Sequence, residues 1–74
     1  MCALNEISFR RLGREALQKY YPLKDKVYTE REIANKVDAI RTEMDMYDVD
    51  EDTQQEKAVI IHEYMNKLYT LYSK

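Results

Sequence analysis

Apolar residues fall into three stripes along this chain, and each stripe has the period of an α-helix. Over residues 30–47, Ile33, Val37, Ile40, Met44 and Tyr47 recur at alternating steps of four and three. Over 53–73, Ala58, Ile61, Met65, Leu68 and Tyr72 repeat that spacing. Such steps put each set on one face of a helix. A third set, Phe9, Leu12, Ala16, Leu17 and Tyr20, predicts a helix over 5–21, closed by Pro22, whose ring disfavours helical geometry just before it. Period-two alternation is missing, so no strand is expected.

Local signals sharpen the helix starts. Thr29 and Glu32 have capping-box spacing, with Tyr28 and Ile33 placed as a hydrophobic staple across it. Thr53 and Glu56 repeat the spacing and predict the start of the last helix. Asp45 and Asp48 oppose the negative end of the middle helix and help to end it, whereas the acids that follow favour the next N-terminus. Glu32 and Lys36 sit one turn apart in the favourable order. Gly13 lies on the apolar face of the first helix, where glycine costs about 1 kcal/mol against alanine. Close approach of another backbone is the expected reason for it.

The stripes differ in width. That of 30–47 covers an arc of about 80° and suits one neighbour. In the last helix Ile60, Tyr64 and Leu71 add a second stripe and Tyr69 widens the other flank, for an arc of about 180°. Two neighbours fit there. The expected fold is therefore all-α and a single small domain over 1–74. A helical hairpin (30–47 and 53–73) carries the helix 5–21 across it, or another protein takes that second face. A symmetric dimer or higher oligomer built on the last helix is the alternative.

Size and composition change the picture mainly by exclusion. A core of this size rarely supplies more than about 3–5 kcal/mol, so association or very good packing is expected to help. With one cysteine, Cys2, and one histidine, His62, neither an internal disulfide nor a zinc spacing is available. The lone thiol, with no signal peptide, fits a reducing cytoplasm. No apolar run nears the ~20 residues of a membrane span, and residue 2 is not the glycine that myristoylation requires. Charge is unevenly distributed. Residues 1–28 hold six basic and three acidic side chains (+3), 29–56 three and ten (−7), and 57–74 three and one (+2). Such a chain can pair its ends with its middle, within one molecule or between copies.

Candidate chemistry is sparse. Asp48, Asp50 and Asp52 open a calcium-loop spacing, but Thr53 replaces the turn glycine and Val59 the bidentate glutamate, leaving a solvated, helix-capping loop. Tyr20, Tyr21, Lys24, Lys26 and Tyr28 interleave tyrosines with cations, a pattern able to stack on a base and meet a phosphate. Core packing and surface solubility explain the same residues. The acidic balance speaks against duplex DNA. Arg10, Arg11 and Arg14 form a basic patch, with Glu6–Arg10 and Arg11–Glu15 as one-turn pairs. His62 has no second ligand and no nucleophile to serve, and Cys2 no activating arrangement, so no enzyme and no cofactor are expected. Seven tyrosines against one phenylalanine and no tryptophan suit half-buried, interface-like surfaces.

The functional expectation is a non-enzymatic protein-binding module, such as a small regulator, inhibitor or adaptor. Its size is also that of many phage or mobile-element products. Contacts are expected from Tyr64, Tyr69, Leu71 and Tyr72, with Asp48, Asp50 and Asp52 as an orienting patch. A second expectation is an oligomeric binder of a nucleotide or similar anion through the Tyr20–Tyr28 set. A third is a structural subunit that assembles with itself.

Overall fold

The computed structural model describes residues 3–73 and contains four helices in chain order: α1 (Glu6–Lys19), α2 (Glu30–Asp45), α3 (Glu51–Gln54) and α4 (Lys57–Tyr72). Cys2 lies outside the described residues. Helix α1 starts where the Asn5 side chain accepts the Ser8 N–H at 2.8 Å and ends at Tyr20, two residues before Pro22. At α2 the capping box is complete. Thr29 Oγ1 accepts the Glu32 N–H at 3.1 Å and Glu32 Oε1 accepts the Thr29 N–H at 3.0 Å. Glu32 also pairs with Lys26 at 3.2 Å, so its carboxylate is engaged at the cap rather than on Lys36. The expected Arg11–Glu15 pair is not among the ion pairs of the described residues, whereas Glu6–Arg10 forms at 3.0 Å.

The last helix starts differently from the sequence expectation. Thr53 is not its cap. Asp50 caps the one-turn α3 by accepting the Thr53 N–H at 2.8 Å, Thr53 is buried, and Glu56 precedes α4 with no side-chain cap. Two overlapping patterns compete here, Asp50 to Thr53 and Thr53 to Glu56. A backbone bridge decides between them: Leu4 N–H donates to Asp48 O at 3.1 Å and Asp50 N–H to Leu4 O at 2.9 Å. That pairing holds Asp50 extended, as an N-cap must be, and buries Val49. The end of α2 is relieved from outside its own sequence. Lys57 Nζ donates to the carbonyls of Asp45 at 3.2 Å and Tyr47 at 2.6 Å, placing a cation at the negative pole of a helix with no basic residue in its last turn.

Helices α2 and α4 pack most closely and α1 lies against both. Phe9, Ile40, Met44, Ile60 and Leu68 are fully buried, each worth about 1.5–3 kcal/mol of burial. Both stripes of α4 are used within the chain. Ile61 and Met65 line the seam with α2, while Tyr64 faces α1, its hydroxyl donating to the Arg10 carbonyl at 3.1 Å. Gly13 is indeed a point of close approach, to side chains and not to a backbone. A Cβ there would stand 2.8 Å from the Tyr64 ring and 2.9 Å from the Met44 methyl. Across the same seam Arg10 bridges Glu6 and Glu63, the latter at 2.6 Å, and both carboxylates raise its pKa further.

The result is a rod of 40 × 17 × 16 Å. Its two ends differ in content: residues 20–29 and the end of α4 form one, residues 3–5 and 46–56 the other. No helix among the described residues is long and apolar enough to cross a membrane.

Candidate functional site

Three helix termini meet at the first of these ends, and tyrosines hold the connection between them. Tyr72, at the end of α4, donates its hydroxyl to the Tyr20 carbonyl at 2.7 Å. Its ring meets that of Tyr28 edge-on, with centroids 4.6 Å apart. The Tyr28 hydroxyl in turn accepts the Leu23 N–H at 2.8 Å. Tyr28 is thus tied to α4 as well as standing at the staple position of α2. Burial pushes the hydroxyl pKa of both Tyr20 and Tyr72 upward.

This bracing leaves a cleft of about 280 Å³. Tyr21, Pro22, Leu23 and Lys24 line one part of it, and Lys26, Tyr28, Leu71 and Tyr72 the rest. Four of the five residues expected to form a ligand site therefore share one cleft. Tyr20 does not line it; its carbonyl serves Tyr72 and its ring lies beneath Lys19 and Lys36, at 5.7 and 5.9 Å. The two cations differ. Lys26 pairs with Glu32 and sits 5.1 Å over the Tyr28 ring, whereas Lys24 has no ion pair among the described residues. The Thr29 backbone N–H, then Lys26, hold the Glu32 carboxyl below its usual range.

A shallow groove of about 560 Å³ adjoins the cleft between α1 and α4. Leu17, Tyr21 and Leu71 form its apolar wall, with Asn66, Lys67 and Thr70 along the rim. Tyr21 and Leu71 belong to both depressions, which makes them one continuous surface. Lys67 is the least anticipated member. It lies on the polar side of the α4 pattern, yet its ammonium sits 4.7 Å over the Tyr64 ring.

The residues expected to bind a partner are dispersed. Leu71 and Tyr72 line the cleft and Tyr69 is exposed on the last turn of α4. Tyr64 is corrected: at 3% exposure it is a core residue packed on Gly13, with no surface for a partner. Asp48, Asp50 and Asp52 stand at the opposite end, separated from the cleft by the 16 residues of α4, roughly 24 Å. They do not flank the tyrosines. Asp48 and Asp52 are exposed, while Asp50 is engaged as the α3 cap, its pKa lowered by the Thr53 side chain and N–H.

Elsewhere, Arg41, Asp45, Lys57 and His62 rim a depression of about 420 Å³ on the α2–α4 side, and His62 is exposed. Arg11 and Arg14 are exposed, but Arg10 is drawn into the α1–α4 seam. Among the described residues no three His, Cys, Asp or Glu side chains gather as a metal-binding group. No protein-family model matches this chain, and no curated protein or solved structure matches it either.

Proposed function

We propose that this chain is a non-enzymatic protein-binding module, a small regulator, inhibitor or adaptor, whose working surface is the tyrosine–lysine end of the rod. The reading rests on one continuity: Tyr21 and Leu71 join a braced cleft carrying Lys24 to an apolar groove running along α1 and α4. Tyr21, Leu23 and Val27 stand out beside it, Val27 at 93% exposure. Aromatic and aliphatic anchors inside a polar rim are the anatomy of a protein interface. The lysines select the partner's sign. It is an acidic segment bearing an aromatic or leucine anchor.

Titration of the labelled protein with short acidic peptides containing such an anchor tests this. Amide shifts confined to the cleft and groove, residues 17–28 and 63–72, are expected, and they vanish in Tyr21→Ala/Lys24→Glu. Absent shifts, or shifts along the α2–α4 side, refute the reading.

A second reading has its own support. Tyr21, Lys24, Lys26 and Tyr28 converge as a nucleotide or similar anion would require, although about 280 Å³ is just below the ~300–1,000 Å³ usual for small-molecule sites. A ligand specific to the folded state raises the melting temperature. A rise with mono-, di- or cyclic nucleotides therefore favours this alternative, and no rise with any of them removes it.

A further inference from the structure

Of the eight large apolar side chains exposed among the described residues, seven lie at the two ends of the rod and Tyr47 lies along the α1–α2 flank, beside Leu12, Glu15 and Lys19. Ile7, Met46 and Val59 belong to the first turns of α1 and α4 and the exit of α2. Tyr21, Leu23, Val27 and Tyr69 cluster at the other end. The ends differ in charge: residues 45–57 hold six acidic side chains and one basic, residues 20–32 three of each. Asp48, Glu51, Asp52 and Glu56 are exposed without ion pairs among the described residues, and the nearby Lys57 is engaged with two carbonyls. Facing outward at the opposite end is the cleft, whose charged lining is Lys24 and Lys26; Asp25 and Glu30 lie at that end but do not line it.

We infer that the acidic end of one molecule docks on the tyrosine–lysine cleft of a second copy, so that the chain associates head to tail. This rests on the reading of the cleft as a site for an acidic, apolar-tipped protein surface, and it names one such surface. A contact between two acidic ends would set carboxylates on carboxylates, which like-charge repulsion disfavours, whereas two cleft ends, balanced in charge, offer each other no such complement. The head-to-tail contact joins unlike charges around apolar side chains and leaves a free end on each molecule, so it propagates instead of closing at two. A contact confined to the short faces of a rod of 40 × 17 × 16 Å uses a small part of its surface, which makes the contact weak, concentration-dependent and sensitive to salt.

Sedimentation of the full chain from micromolar to millimolar concentration, at low and high salt, tests this. The average mass is expected to climb with concentration at low salt, without a plateau at the dimer, and to fall back at high salt. Lys24→Gln/Lys26→Gln removes the cleft charge and Asp48→Asn/Asp52→Asn the loop charge, sparing the Asp50 cap. Each is expected to weaken association about tenfold or more. An equimolar mixture of the two variants should form a species of two chains and stop there, since only one complementary pair of ends survives. A constant monomer mass, a plateau at the dimer, or a mixture no different from its components overturns the inference. The Asp48→Asn/Asp52→Asn variant keeps its cleft. If it still binds the acidic peptides while the wild type never self-associates, the self-docking fails and the protein-binding reading stands.

Discussion

The two connections of this small bundle solve the same problem by different means. Both join antiparallel helices in about ten residues. The first, residues 20–29, is held by side chains reaching from distant parts of the chain: Tyr72 on the Tyr20 carbonyl, the Tyr28–Tyr72 ring contact, and Lys26 on Glu32. The second, residues 46–56, is held by backbone, through the Leu4 bridge and the Asp50 cap, with Val49 and Thr53 turned inward. Aromatic bracing leaves its own loop open, with a cleft and exposed apolar tips. Backbone bracing draws its apolar residue into the core and turns carboxylates outward. One end thereby presents an open cleft lined by lysines and the other outward carboxylates, while Met46 keeps apolar surface exposed at the second as Leu23 and Val27 do at the first.

The comparison breaks most sharply at Tyr72. Tyr72→Ala is expected to cost about 2–3 kcal/mol and to speed amide exchange across 20–29 while leaving 46–56 protected. Restoring the ring alone, with Tyr72→Phe, should reduce the loss to about 1 kcal/mol, the value of the hydroxyl bond. Gly13→Ala, in the middle of the rod, probes neither end. Helix propensity favours it by about 1 kcal/mol, but the new methyl meets a Tyr64 ring held on α1, and overpacking of about 1–3 kcal/mol gives a net loss in chemical denaturation.

At the second connection Val49→Ala removes two buried methyl groups, about 1–2 kcal/mol, with exchange faster at the Leu4 and Asp50 amides and unchanged at Leu23. Asp50→Ala uncaps α3 and should lower the melting temperature by a few degrees, with no effect on the cleft.

The smallest effect, pH, separates the ends by sign. Asp50 and Glu32 have lowered pKa values in the folded chain. The stability that they contribute is present above the ordinary carboxylate range and lost as pH falls through their folded values, and one group lies at each end. Tyr20 and Tyr72 have raised values. Their contribution is present below the ordinary tyrosine value, near 10, and is lost as pH climbs from there through the folded ones. Acid should therefore loosen both ends and alkali only the tyrosine-braced one. Thermal melts with tyrosine absorbance across both limbs check this, and equal loosening of 46–56 in alkali would contradict it.

How far each feature could be read in the sequence follows the distance over which its cause acts. The capping box at Thr29 closes within four residues, so its spacing was enough. At Asp50 and Thr53 two local patterns of similar strength overlap, and Leu4, more than forty residues away, selects one. The tyrosine–lysine cluster of 20–28 was visible as a cluster because its members are near neighbours in the chain. That Leu71, Tyr72 and Leu17 complete the surface was not, because those residues reach it only through packing.

Determined by the sequence itself were the three apolar stripes, their relative widths and the helix-ending Pro22, since backbone geometry converts spacing directly into faces. Tertiary structure decided what covered those faces. It placed α1 on the second stripe of α4 and buried Tyr64 against Gly13. It also used Lys57 to relieve the end of α2 and put the acidic loop and the tyrosine cleft at opposite ends of one rod. The physical reason is that a stripe fixes a direction and an area but no partner. Burial goes to whichever surface the close-packed whole brings nearest.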